Sequence, residues 1–355
     1  MRLLLIGGNG FIGPSVVSEL VRAGHDVAIL HRRLAEGSTV RTPGARAAAS
    51  AAADTTAAAE AGVRAGTVTH ILGDRRHLAD CAQRLLAFEP EVVIDLILSS
   101  GRQARELMTF FRGHARRVVG ISSCDVYRAC GVFHRSEDGP LEPLPLTESS
   151  ALRTKLQTYP PAQLRMLQGV FGWLDDEYDK IPVEQAILED EEVPGTIVRL
   201  PMVYGPGDRL HRFGPVLSQI DQGQPEILFE DRHAAWRSPR GFVENVGAAI
   251  ALAATAPSAA GRVYNVAERE SWSELEWAQQ IAGAAGWHGR FVVLPADRAP
   301  AHLRLPGNFD QHWVVDTTRV REEIGYREPI SREAAIRRTI EWERAQAPAR
   351  VTRPD

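Results

Sequence analysis

Leu3-Leu4-Leu5-Ile6-Gly7-Gly8-Asn9-Gly10-Phe11-Ile12-Gly13 is the stretch whose reading decides the fold. Four apolar residues that stop at Gly7 suit a strand buried on both faces, and Phe11, Ile12, Val16, Val17, Leu20 and Val21 then recur at helical spacing. The glycines therefore fall on a strand-to-helix turn. Gly7 permits the tight turn, Gly10 lets backbone amides approach a pyrophosphate, and Gly13 lets the helix pack closely on the strand. The helix offers its positive N-terminal end to the anion. A second strand, Asp26 to Leu30, follows the turn at Ala23-Gly24-His25, so the glycine triplet has the context that a dinucleotide cradle requires. Gly7, Gly10 and Gly13, with Phe11 and Ile12 between them, are the first candidate cofactor contacts.

Outward from that turn, apolar runs alternate with helical patterns: Val27 to Leu30, Val68 to Leu72, Val92 to Leu96, Val118 to Ile121 and Gly195 to Arg199. Alternation of this kind predicts an α/β fold, a Rossmann-type doubly wound parallel sheet with helices on both faces. Residues 1–200 are expected to form mainly the dinucleotide-binding domain. Residues 201–355 are expected to form mainly a smaller C-terminal substrate lobe interleaved with the sheet. An insertion at about 41–66 is dominated by alanine and has few large apolar residues with which to bury itself, so a helix and a mobile surface segment are both open readings. A second loop-rich stretch, Arg128 to Pro161, follows a strand end, where α/β enzymes place active-site loops.

The bulk numbers exclude more than they assign. A chain of 355 residues with 44% hydrophobic content can bury a sizeable core. A formal charge of -4 gives no overall basic field, so nucleic acid is not an expected partner. The first strand starts beside Met1 and no run of about eighteen apolar residues occurs, so neither a leader nor a membrane span is expected and the location is read as cytoplasmic. Cys81, Cys124 and Cys130 are read as free thiols, and no His, Cys or acidic spacing marks a metal site.

Two segments carry residues suited to chemistry. In Ile121-Ser122-Ser123-Cys124-Asp125-Val126-Tyr127, hydroxyls follow the end of an apolar strand, where an open α/β sheet faces its ligand; an ordinary turn is the plain alternative. In Tyr178-Asp179-Lys180-Ile181-Pro182-Val183-Glu184, the proline fits the first turn of a helix and puts Lys180 at its mouth. An ammonium there can hold ribose hydroxyls and lower the pKa of a nearby phenol, and a solvated surface lysine is the alternative. Where NAD-binding folds carry an acidic residue for the ribose hydroxyls, this chain has His31-Arg32-Arg33. Guanidinium groups pair with a 2′-phosphate that a carboxylate would repel, so NADP is preferred over NAD. Leu96 to Ser99, at another strand end, should face the cofactor.

The ordered set GGNGFIG, ISSCDVY, DKIPVEQAIL, VRLPMVYGPGD, RGFVENVGAA and GRVYNVAE resembles the extended short-chain dehydrogenase/reductase superfamily, the NAD-dependent epimerase/dehydratase group. The resemblance covers nearly the whole chain, with the alanine-rich insertion unmatched. It implies that Ser123 orients substrate, that Lys180 is the conserved-type lysine of the site, that Asp74 contacts adenine and that Pro201 lies near the nicotinamide. Arg240 resembles an arginine that binds the diphosphate of nucleotide sugars, and Arg209 is a further cation for the same role. The family's tyrosine, four residues before the lysine, is replaced by Asp176. Either Tyr178 takes its place from an irregular entry to the helix, or the site lacks a proton donor. The implied activity is NAD(P)-dependent epimerisation, dehydration or reduction of a nucleotide sugar or similar polar metabolite by hydride transfer. The alternative is a catalytically weak NAD(P)-binding regulatory or RNA-associated protein of the same fold. Such proteins often pair as homodimers.

Overall fold

The computed structural model describes residues 1–32, 66–157 and 159–346. Its strands are β1 (Arg2–Ile6), β2 (Asp26–His31), β3 (Val68–Leu72), β4 (Val92–Asp95), β5 (Arg117–Ser123), β6 (Gly195–Leu200), β7 (Met202–Tyr204), β8 (Glu226–Glu230), β9 (Arg240–Phe242), β10 (Val263–Asn265) and β11 (Arg290–Leu294). Seven of them form one parallel sheet in the order β10-β6-β5-β4-β1-β2-β3. β7 pairs with β9 and β8 with β11 in two smaller sheets. The expected doubly wound sheet is what the chain forms.

Alternate residues of each central strand enter opposite cores. Leu3, Leu5, Val27, Ile29, Val92 and Ile94 face a cluster closed by Val16, Val17 and Leu20 of the helix Gly13–Arg22 and by the alanine-rich helix Val243–Thr255. Leu4, Ile6, Ala28, Leu30 and Val93 face the other, closed by Leu107 and Phe111 of the helix Gly101–Phe111 and by Val183 and Ile187 of the helix Lys180–Leu188. Burial on both faces is why these strands read as unbroken apolar runs. β10 escaped the sequence reading as a strand, because three residues are too few to show a period.

Winding places the crevice. From β1 the chain moves outward to β2 and β3, then returns to β4 on the other side of β1, with Ile6 level with both Leu30 and Asp95. The connections leaving β1 and β4 therefore diverge at their carboxyl ends, the place where open α/β sheets take ligands. The alanine-rich insertion lies outside the described residues except for Gly66, which donates its N–H to Val21 O at 3.1 Å. Cys81, Cys124 and Cys130 are buried free thiols. Among the described residues, no helix is long and apolar enough to cross a membrane.

The glycine turn is closed by Gly10 N–H donating to Gly7 O at 2.9 Å. Gly7 has φ +86°, a conformation that L side chains rarely adopt. At Gly13 the constraint is space: a Cβ would lie 2.3 Å from Gly8 O, a backbone atom that cannot swing aside. Gly13→Ala is expected to destabilise the protein by about 1–3 kcal/mol through this overpacking. Urea unfolding checks it, and an unchanged midpoint would show that the helix does not sit this close to the turn.

Candidate functional site

The glycine turn forms one wall of a cleft. Asn9, Gly10, Phe11, Pro14 and Ser15 line it, opposite Pro206, Gly207, Arg209, Val243 and Glu244. A Cβ at Gly10 would meet only Gly7 O, at 3.1 Å, so this part of the backbone is open to an approaching group. Gly13 and Pro14 begin the helix whose positive end points there. These residues fit a dinucleotide pyrophosphate. Arg209, expected near substrate, lines this cleft, and its Nη1 donates to Val170 O at 3.0 Å.

At the carboxyl end of β2, His31 closes the strand and its Nδ1 lies 3.0 Å from Asn9 Nδ2. Arg32 is exposed, and Arg33 lies outside the described residues. Asp74 is held by Arg76, whose Nε and Nη2 reach the carboxylate at 3.2 and 2.7 Å and whose N–H donates at 2.9 Å. The Arg76 hydrogen bonds, with the Arg32 charge adding a smaller pull, hold its pKa down at about 2. The carboxylate is already engaged within the chain, as it caps the short helical turn Arg75–Cys81.

β4 ends at Asp95, one residue before the expected Leu96. The buried Asp95 carboxylate takes Arg75 Nε at 2.8 Å and turns the chain by accepting Ile97 N–H at 2.9 Å. Leu96 and Ile97 are then pressed against the glycine turn: a Cβ at Gly7 would lie 2.8 Å from Ile97 Cγ2 and 3.3 Å from Leu96 Cβ. Pro201 follows β6 and is half-buried against Gly241.

Lys180 is 3% exposed. Its helix begins there, with Asp179 as N-cap accepting Ile181 N–H at 2.8 Å. The Nζ donates to Ile121 O at 3.0 Å and to Leu98 O, so one ammonium ties the carboxyl end of β5 to the chain leaving β4. A lysine has three donors, and one is left for a ligand. Burial lowers its pKa to about 8 despite the opposing charge of Asp125. The plain alternative of a solvated surface lysine does not describe this residue.

Because the helix starts at Lys180, residues 176 to 179 are an irregular entry, and Tyr178 escapes the two-residue helical offset that would turn it away. Tyr178 is buried and its hydroxyl donates to Asp125 Oδ2 at 3.2 Å, with Lys180 Nζ 5.7 Å from its ring centroid. Tyr159 stacks on it at 5.9 Å and donates to the same oxygen at 3.2 Å. Ser123 Oγ accepts Asp125 N–H at 3.2 Å. Tyr159 and Tyr178 thus meet on the Asp125 carboxylate, with Ser123 two residues before it and the Lys180 charge near enough to act on it. Asp176 is exposed and accepts from Gln168 Nε2 at 2.9 Å. The Tyr178 phenol is pushed well above its ordinary pKa by burial and by the Asp125 carboxylate, opposite in direction to the effect anticipated from a neighbouring ammonium.

Asp125, Tyr159 and Arg153 were not singled out from sequence. Asp125 had a signal: it is the one charged residue within ISSCDVY, directly after a strand end. Tyr159 and Arg153 lie in the stretch Arg128 to Pro161 that reads as an active-site loop, but a loop without periodicity marks no individual residue. Arg153 donates to Asp125 O at 2.6 Å and pairs with Asp179 at 3.1 Å, locking the strand-end turn to the helix cap. Arg240 is buried, its Nη2 donating to both Glu274 oxygens at 2.7 and 2.6 Å while its guanidinium sits 4.9 Å over Trp277. That fork is already occupied.

The segment carrying Tyr178 is fastened by Asp175. It accepts from Ser99 Oγ at 2.9 Å, Ser100 Oγ at 2.8 Å and Gln103 Nε2 at 2.9 Å. Tyr159, Leu164, Arg165, Gln168, Asp176 and Tyr178 line a second cleft there. It is roofed by the helix Pro161–Val170, which buries none of its own residues.

Comparison with solved structures finds the same fold along the full length. MoeE5 in complex with UDP-glucuronic acid and NAD matches with a TM-score of 0.63 at 19% identity, covering 97% of this chain and 99% of that one. dTDP-glucose 4,6-dehydratase from Bacillus anthracis, in complex with NAD, matches at 0.63 and 13%, covering 98% and 97%. UDP-glucose 4-epimerase from Thermus thermophilus, also with NAD, matches at 0.59 and 19%, covering 98% and 100%. At these identities the likeness establishes the fold. No family model and no curated protein matches the sequence.

Lys180 makes a prediction about stability. Below about pH 8 the amine is charged in the folded and unfolded chains alike, and the full cost of its burial is present. Between about 8 and the ordinary 10.5 the unfolded chain still holds a proton that the folded chain has released, so rising pH favours the folded state. The urea midpoint of the native protein, measured against Lys180→Met, should therefore climb across that window and stay level below it. Parallel curves would show that the amine is not buried.

Proposed function

We propose that this chain is an NAD(P)-dependent enzyme of the epimerase/dehydratase type, acting on a nucleotide sugar or similar polar metabolite. One observation carries the proposal: the open glycine turn follows β1, and Ser123, with Lys180 and Tyr178 brought against it, ends β5, so the two groups stand at the same carboxyl edge of one parallel sheet with only β4 between them. Residues 1–200 mainly hold the dinucleotide in this reading, and 201–355 mainly complete the substrate side. The bound nicotinamide supplies the hydride acceptor or donor. Gly7, Gly10, Phe11, Ile12 and Gly13 hold the pyrophosphate, and Leu96 and Pro201 border the nicotinamide end. Lys180 turns its remaining donor to ribose hydroxyls, Ser123 orients the reacting oxygen, and Tyr178 exchanges its proton. Solved structures of the same fold carry NAD together with UDP-glucuronic acid or UDP-glucose, which supports this choice of ligand class.

For the cofactor we infer a preference for NADP. Arg32 stands exposed beyond β2, and Arg76 pairs with Asp74, so that carboxylate does not oppose a 2′-phosphate. A charge-assisted hydrogen bond of about 1.5–3 kcal/mol corresponds to roughly tenfold to a hundredfold in affinity. Arg32→Ala is therefore expected to weaken NADPH by that factor and leave NADH nearly unchanged, as read by fluorescence titration. Equal losses would overturn the assignment.

The function itself is tested by binding and turnover. The protein should bind NADPH or NADH and convert UDP-glucose, UDP-glucuronic acid or a related nucleotide sugar to a new product visible by NMR. Tyr178→Phe should lower kcat by about 10²–10⁴ while sparing dinucleotide affinity. A protein that binds neither dinucleotide refutes the reading.

A further inference from the structure

Asp125 has a place in the site that its neighbours do not explain. Its side chain is 3% exposed. Oδ2 receives two phenol hydroxyls, Tyr159 and Tyr178, each at 3.2 Å, whereas Oδ1 is buried with no hydrogen-bond partner among the described residues. Arg153, the nearby guanidinium, gives its side-chain hydrogen bonds to Asp125 O, Lys155 O and the Asp179 carboxylate, not to the Asp125 carboxyl. A carboxylate bare on one side and buried is costly as an anion and takes up a proton readily.

Resting on the function proposed above, we propose that Asp125 is the end of a proton relay through Tyr178. In the oxidising direction the substrate hydroxyl gives its proton to Tyr178 Oη while Tyr178 gives its own to Asp125 Oδ2. The substrate C–H bond breaks with its electron pair leaving as hydride to the oxidised nicotinamide, and the electron pair of the former O–H bond becomes the second bond of the new carbonyl. Tyr178 ends as it began, and Asp125 ends as a carboxylic acid. Reduction of a carbonyl runs the same transfers backwards.

The surroundings agree with the relay. A phenol held above its ordinary pKa by burial and by the Asp125 carboxylate does not wait as a phenolate, so it needs a base beyond it. Asp125 is shifted upward by burial, against the pull of Arg153 and Lys180 and with the push of Asp179. The thiols of Cys124 and Cys130 also lie within its field, both pushed up by burial and so uncharged. Asp125 touches no reacting atom, and it acts through Tyr178.

Two variants and two readouts test this. Asp125→Asn keeps the shape and cannot take a proton, so kcat should fall about 10²–10⁴ with dinucleotide affinity unchanged. In the protein without dinucleotide, at pH below the acid limb of kcat where Asp125 holds its proton, a buried carboxylic-acid infrared band of the native chain should be missing from Asp125→Asn. Tyr159→Phe removes one of two hydrogen bonds that favour the anion, so the midpoint of that band and the acid limb of kcat should move together to higher pH. This second arm stands if the first variant fails to fold. Native kcat in Asp125→Asn, or a band and limb that Tyr159→Phe leaves in place, overturns the relay alone. A native protein that binds no dinucleotide overturns the function on which the relay rests.

Discussion

An ammonium buried at the carboxyl ends of two parallel strands is the constraint around which the site is arranged. Lys180 can remain there because backbone carbonyls of Ile121 and Leu98 accept two of its protons, and because Asp125, Asp95 and Glu184 lie close enough to oppose the cost of burial. Its position then dictates that of its neighbours. The helix must begin at Lys180, Asp179 must cap it, and Arg153 must neutralise the cap. Tyr178, two residues earlier, is brought by that start against Asp125 and into the wall of the second cleft.

A second buried pair holds the layer behind. Glu184, one turn along the same helix, takes both Arg199 Nε at 2.9 Å and Nη2 at 2.7 Å, and Arg199 reaches Tyr127, whose hydroxyl donates to Asn265 at 2.6 Å. Ser122 donates to Glu184 at 2.5 Å. β5, β6, β10 and the lysine helix are thereby joined by one polar network. Removing Glu184 or Arg199 alone would leave the other charge uncompensated in a low-dielectric interior, a loss of about 3–5 kcal/mol. The orientation of Ser123, on the strand that Ser122 anchors, inherits that rigidity.

The fold could be read from local pattern because double-sided burial writes itself as apolar runs, and because the glycine spacing follows from contacts within eleven residues. The place of Lys180 at the mouth of its helix was legible because Pro182 marks that helix's start, whereas the pattern left open whether Lys180 is buried and whether Tyr178 reaches the crevice. Asp125 stands in a motif that the sequence displays, yet nothing in one dimension shows that two phenols from a later segment close on it. Arg240 misled for the converse reason: a guanidinium suits phosphate, yet Glu274 lies 34 residues away in sequence and takes its fork in space. Arg209 likewise depends on a turn whose direction no periodicity encodes.

The helix Pro161–Val170 sets the mechanical character of the region. None of its residues is fully buried, and Leu164, Leu167 and Val170 are half-buried, so it is held by fewer core contacts than the helices that close the sheet. Tyr159 and Tyr178 beneath it are anchored from below by Asp125, independently of that covering. Side chains entering beneath this helix thus meet a thinly packed wall on one side and, on the other, two phenols held to a common carboxylate.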